Sequence, residues 1–358
     1  MKVISKIFLV ALLLSLIFSC SAVFAEENMT FEQSSIQNVL IETDNQENNV
    51  IIGDEILKAE DYADSSSAMG DDNFQLDDDG ALGVDDDVAL NAGSSHNVQG
   101  NDFSSIQNAI NSAGEGDTIY LNGKTYVGSG NQINVNKNNL IIVGGSQSNP
   151  DLLATLDDRK LSSIMAVYSK NVVITGIKFV NGVNERAGAL RWGTEDGFLR
   201  NCIFEYNSAT IQGGALRWDA KRGNMTNCNF TYNAAPDGGA VYWSQSDGFL
   251  DNCVFKNNNA TSGGALFWMG RDGYLANSVF ANNKADYAGG ALYYRVYNLN
   301  LTECLFDNNS ASLGGAVCLE NSMGSSIEKN NFTNNGAEKS GSVIFIFIHI
   351  GCSELLSA

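Results

Sequence analysis

Four kinds of residue in this 358-residue chain could carry chemistry: neighbouring carboxylates, imidazoles, in-phase thiols, and arginines set among aromatic rings. Two carboxyl groups flanking a glycosidic bond can act as acid and base. The candidates are Asp196, Asp247 and Asp272, each followed by a glycine (Gly197, Gly248, Gly273), with Glu195 beside Asp196. Asp-Gly is a strong turn signal, so these read first as turn residues, and Glu195–Asp196 is a single unrepeated pair. The two histidines lie away from the repeats, His96 in an acidic stretch and His349 in the tail, and no Gly-His-Gly segment occurs. Cys202, Cys228, Cys253 and Cys304 recur in phase with Ser278. Small buried apolar residues are the favoured reading, although neighbours one coil apart would fall within disulfide range. A straight file of thiols does not converge on a metal, so no metal and no cofactor is expected. The remaining lead is Arg191, Arg217, Tyr242, Phe267 and Tyr293. Each stands between an apolar residue (Leu190, Leu216, Val241, Leu266, Leu292) and a large aromatic one (Trp192, Trp218, Trp243, Trp268, Tyr294). Strand alternation turns the flanking residues inward and this file toward solvent. Exposed stacked rings beside arginine suit sugar rings and acidic glycans, which makes the file the candidate ligand-binding face.

What must position these residues is a repeat. Phenylalanine recurs at 179, 204, 230, 255, 280, 306 and 332, always 25 or 26 residues apart. Gly-Gly-Ala follows in step at Gly213-Gly214-Ala215, Gly238-Gly239-Ala240, Gly263-Gly264-Ala265, Gly289-Gly290-Ala291 and Gly314-Gly315-Ala316, with degenerate copies at Ala187-Gly188-Ala189 and Ser340-Gly341-Ser342. A unit of this length holds about three short strands with turns between, which is one coil of a parallel β-helix. Leucine-rich repeats have a similar period but need fixed leucines that are missing here. Coils about 4.8 Å apart stack equivalent residues in files. Leu199, Met225, Leu250, Leu275, Leu301 and Ile327 form one inward file, and the cysteine and phenylalanine files two more. Asn207, Asn233, Asn258, Asn283, Asn309 and Asn335 form a polar file that predicts a structural ladder. Asparagine tolerates left-handed backbone angles, and its amide can bond to the asparagines above and below. The double glycine predicts a corner where a side chain would block the neighbouring coil.

This module resembles the Gly-Gly-Ala-Ile/Leu and Phe-x-x-Asn repeats of the chlamydial polymorphic membrane proteins. It resembles still more closely the adhesin-like surface proteins of methanogenic archaea. Ser105-Ile106-Gln107-Asn108-Ala109-Ile110 with Gly114-Glu115-Gly116-Asp117-Thr118-Ile119-Tyr120-Leu121, and Asn171 to Phe179, look like the entry to the archaeal β-helix. The resemblance covers about 101–342 and implies an all-β, right-handed single-stranded parallel β-helix, a pectate-lyase-like solenoid, at a cell surface. Both families usually continue into further repeats, wall-binding modules, a membrane anchor or a translocation barrel, none of which is visible in this sequence.

The rest of the chain is read around that domain. Residues 1–25 form a signal peptide, with Lys2 and Lys6, an apolar run from Ile7 to Phe18, and Val23-Phe24-Ala25 before Glu26. A lipidated start at Cys20 is the rival reading. Residues 26–100 hold 19 Asp/Glu against Lys58 alone and read as an acidic disordered spacer. The helical face of Phe103, Ile106, Ala109 and Ile110 predicts a helix capping the open end of the coils, stopped near Gly114. Strand-like pieces follow at Thr118–Leu121, Gln132–Val135 and Leu140–Val143. Residues 343–358 read as an irregular tail that breaks the repeat, through a truncated or altered frame or as a C-terminal cap. Val343–Ile350 is apolar on both strand faces and would leave an exposed edge. The net charge of −20 lies mainly in the spacer, and without clustered Lys/Arg no nucleic-acid partner is expected. Sequons occur at Asn28, Asn224, Asn229, Asn259, Asn300, Asn308 and Asn331. The expectation is a secreted or cell-surface monomer without a transmembrane span in the mature chain. It would be a non-enzymatic adhesin binding glycans or proteins of other cells through a long face. The alternatives are a polysaccharide-active lyase or hydrolase and a structural envelope component.

Overall fold

The computed structural model describes residues 93–347. The signal peptide, the Cys20 alternative, the spacer up to residue 92, the Asn28 sequon and His349 lie outside the described residues. Within them the chain is a right-handed parallel β-helix. Three parallel sheets of ten, nine and nine strands run the length of the stack, joined by a shorter four-stranded ladder and a two-stranded one.

One coil shows how the sequence makes each side. Phe198–Arg200 is a strand that buries Leu199, the left-handed Asn201 (φ 52°) turns the chain, and Cys202 points in. Ile203–Glu205 buries Phe204, the left-handed Tyr206 (φ 56°) turns it again, and Asn207 points in. Ser208–Gln212 crosses to Gly213-Gly214-Ala215, and Leu216–Trp218 closes the coil. In the three long sheets the strands pair in register with their counterparts in the next coil, Leu199 with Met225, Phe204 with Phe230 and Trp192 with Trp218, whereas the short ladders carry register shifts, as between Asn184 and Arg186. Phe179, Phe204, Phe230, Phe255, Phe280, Phe306 and Phe332 form a single internal stack, with ring centroids 4.7 to 4.9 Å apart. Offset stacking of this kind adds roughly 0.5–1.5 kcal/mol per pair beyond area burial.

The asparagine file is a ladder, as its phase predicts. Asn233 Oδ1 accepts both the backbone N–H (3.0 Å) and the Nδ2 (3.1 Å) of Asn207, while Asn233 Nδ2 donates to Asn258 Oδ1 (3.1 Å) and the Phe204 carbonyl (3.0 Å). The pattern repeats through Asn335, so a fully buried amide file has its donors and acceptors matched. One detail differs from expectation. The left-handed residue is not the ladder asparagine but its predecessor: Tyr206, Tyr232, Asn257, Asn282, Asn308 and Asn334. The double glycine behaves as predicted. Gly238 has φ 66°, and a Cβ on Gly239 would lie 2.1 Å from the Gly264 carbonyl oxygen of the next coil.

Both boundaries of the expected domain move outward. Ser95–Asn97, placed in the spacer from sequence, is a strand paired with Thr118–Tyr120. His96 Nε2 lies 2.7 Å from Asp117 Oδ2, which explains the capture of so polar a segment. Ile344–Phe347, read as part of a tail that breaks the repeat, pairs in register with Val317–Glu320 and extends its sheet. Ile346 and Phe347 are exposed there, as the apolar pattern on both strand faces implies. The helix Phe103–Ser112 covers the first coils with Phe103, Ile106 and Ile110, and Asp102 caps it by accepting the Ser105 N–H at 2.8 Å.

Candidate ligand-binding face

The candidate file stands on the sheet whose inner face carries the tryptophans. Trp192, Trp218, Trp243 and Trp268 are fully buried and stack 4.6 to 4.8 Å apart. The Asp-Gly turns make room for them: a Cβ on Gly197 would lie 2.2 Å from the Trp192 indole nitrogen, and Asp196 takes the left-handed φ of 60°. The four indole N–H groups have no hydrogen-bond partner. Tyr294, which takes the same place one coil on, instead donates to the Gly270 and Tyr297 carbonyls.

On the outer face Arg191, Arg217, Tyr242, Phe267 and Tyr293 form one continuous file in strand register. Their direction is as expected, but their exposure is not. Tyr242 and Phe267 are only 6% and 7% exposed, and Tyr293 is half-buried. The side chains lie flat along the file and cover one another. Arg217 sits 5.0 Å over the Tyr242 ring, Tyr242 stacks on Phe267 at 5.4 Å, and Phe267 on Tyr293 at 4.7 Å. Residues at the strand ends close the flanks. Tyr242 Oη donates to Met269 Sδ at 2.8 Å, Tyr293 Oη donates to Glu320, and Arg217 donates to Asp219 and Gln212. Burial pushes the Asp219 carboxyl up, but Arg217, Ser244 and Arg191 outweigh it and hold the group below the usual range. Burial pushes the Tyr242 hydroxyl up. The middle of the file is therefore an outer packing layer, and only Arg191 is exposed, its Nε donating to Asp219 at 3.2 Å.

At Arg191 the layer gives way to an open polar pocket of about 350 Å³ lined by Gln132, Tyr168, Asn184, Glu185, Arg186 and Arg191. Tyr168 is 51% exposed and Arg186 is exposed. The sequence reading found Arg191 but missed the other five. For three of them, Asn184, Glu185 and Arg186, a signal was present, because they adjoin the degenerate Ala187-Gly188-Ala189 copy. There Ala187 takes a left-handed φ of 62° where later coils use the first glycine of the pair, such as Gly213 at 66°.

Apart from the exposed turn residue Asp247, the other chemical candidates are occupied or sealed. Arg222 binds Glu195 at 2.7 Å and Asp196 at 2.6 Å, and its hydrogen bonds hold the Asp196 carboxyl below its ordinary range. Asp247 and Asp272 are left-handed turn residues, and Asp272 accepts the Asn298 amide at 2.8 Å. Cys202, Cys228, Cys253, Cys304 and Cys318 are buried free thiols. Burial drives the Cys228 thiol far above its ordinary value, which suppresses the thiolate needed for attack or metal binding. Among the described residues no cluster of metal-ligating side chains occurs. Of the sequons, Asn229, Asn259, Asn300 and Asn308 are exposed, whereas Asn224 is buried and closed to an oligosaccharide.

A family model described as right handed beta helix region matches residues 236–347. That match begins within the regular coils and ends at the last described strand, and it agrees with the fold. No curated protein and no solved structure matches the chain. No helix among the described residues is long and apolar enough to cross a membrane.

Proposed function

We propose that this chain is a secreted or cell-surface adhesin-like protein, non-catalytic and monomeric, that holds acidic glycans of another cell or a wall polymer. The carrying observation is the pocket lined by Arg186, Arg191 and the exposed Tyr168. Two guanidinium groups fit carboxylate or sulfate substituents through paired hydrogen bonds, and the tyrosine offers an apolar ring to a pyranose. Glu185 is the one carboxylate in the lining, so the pocket holds no acid–base pair. Its open, polar character also suits retention along a polymer better than enclosure of a reacting bond. The likeness of the repeat to adhesin-like surface proteins supports the same reading.

A glycan array and whole-cell binding assay on the intact protein tests this. Acidic polysaccharide should be retained without cleavage, and Arg186→Ser/Arg191→Ser should weaken retention by about a hundredfold, on the order of 1–2 kcal/mol per charged hydrogen bond lost. Unchanged retention in that variant removes the pocket from the function, and release of oligosaccharide products assigns an enzyme instead. Replacing Tyr242, Phe267 and Tyr293 with serine would not test the idea cleanly, because those rings are packed and their loss destabilises the layer.

A further inference from the structure

A second aromatic site lies on another side of the solenoid, on the corner between the phenylalanine strands and the asparagine ladder. The left-handed residue there is Asn181, Asn257, Asn282, Asn308 or Asn334 in five coils, but Tyr206 and Tyr232 in the two between. Asparagine accepts a positive φ because its short amide bonds locally, whereas a bulky ring at φ 56° is an outlier. Packing does not explain the choice. Tyr206 and Tyr232 are 52% and 51% exposed, and they stack on each other with centroids 5.3 Å apart and planes 5° from parallel. Strained, exposed residues kept in place of a comfortable alternative mark functional positions.

The stack leaves one face of each ring uncovered. The free face of Tyr232 looks along the file toward Asn257, a residue too short to cover it. The amides of Asn181, Asn308 and Asn334 are bonded to Asp157, Asn282 and Asp307. That of Asn257 makes no side-chain hydrogen bond among the described residues, although the residue is only partly exposed. Of the nearby charges, Lys178 holds Glu205 at 2.8 Å, and Lys256 is exposed. We propose that the free face of Tyr232 and the unpartnered amide of Asn257 form a subsite for a neutral hexopyranose. The apolar C–H face of the sugar would lie on the ring, and two adjacent hydroxyls would take the amide as donor and acceptor. This subsite is separate from the arginine pocket and does not depend on it.

Isothermal titration of the full-length protein with hexasaccharides of glucose, galactose and mannose tests the assignment. At least one should bind. Tyr232→Asn restores the residue that five other coils use, so it should fold with an equal or higher Tm while losing about tenfold in affinity, the size expected for one stacking contact. Asn257→Ser should weaken the same sugar, whereas Asn282→Ser, one coil further from the ring and with its amide oxygen accepting from Asn308, should not. Absence of binding to all three hexasaccharides overturns the proposal, as does a Tyr232→Asn protein that binds like wild type.

Discussion

Asn258 takes two hydrogen bonds on Oδ1 and gives two from Nδ2, all of them buried. Asn258→Leu keeps the volume but leaves the Asn233 N–H and amide without an acceptor and takes a donor from the Phe230 carbonyl. The cost should be on the order of 3 kcal/mol and appear as a lower urea midpoint, with Asn→Leu on the exposed Asn229 as control. The ladder was legible because six asparagines keep strict phase. Its left-handed partner was misplaced by one residue because four of the six coils carry Asn-Asn, where either residue suits both roles; Tyr206-Asn207 and Tyr232-Asn233 are the coils that separate them. Asp158 was not legible at all. It is fully buried beneath the capping helix, with one oxygen accepting the Leu161 and Ser162 N–H groups and the other without a partner. Desolvation raises its pKa. The folded state therefore favours the protonated form, so this residue's favourable contribution is complete below the unfolded value, near pH 4, and is lost as pH rises through the raised folded value. Asp158→Asn should raise Tm at pH 7, and the gain should shrink as pH falls toward about 4. A gain that does not vary with pH contradicts this.

Each strand owes its place to its corners, and the double-glycine corner was the best-read element. Gly239→Ala should prevent that coil from closing, since the new methyl meets the Gly264 carbonyl and Asn259 backbone at once. The measurable result is loss of soluble folded protein by circular dichroism, whereas Gly336→Ala, with open space around it, should fold. The inward tryptophans and cysteines followed from alternation. The same alternation misjudged Tyr242 and Phe267, because it fixes which way a side chain leaves the strand and not how deeply its neighbours bury it. Rings stacked at 4.7 to 5.4 Å between flanking rows of Asp219, Met269 and Glu320 are a tertiary outcome of those rows being long. The end strands were missed for a related reason. Ser95–Asn97 and Ile344–Phe347 lack the repeat's signature residues and are held chiefly by register with an existing edge.

Across the whole molecule, a period of 25 or 26 residues settled the fold, and the family match at 236–347 agrees with it. Function was less legible because repetition produces a surface, whereas a site needs a departure from repetition. Both places proposed here to bind sugar are such departures: the degenerate coil around Arg186 and Arg191, and the two coils that replace asparagine by tyrosine. Everything rests on coils stacked in register. Lys178 and Asn331 occupy the same file six coils apart. Spin labels on Lys178→Cys/Asn331→Cys, with the native thiols of the solenoid buried, give the most direct measurement. At about 4.8 Å per coil the distance distribution should be narrow and centred near 29 Å, allowing for the label arms. A broad distribution, or one centred beyond about 40 Å, would contradict the stacking of these coils.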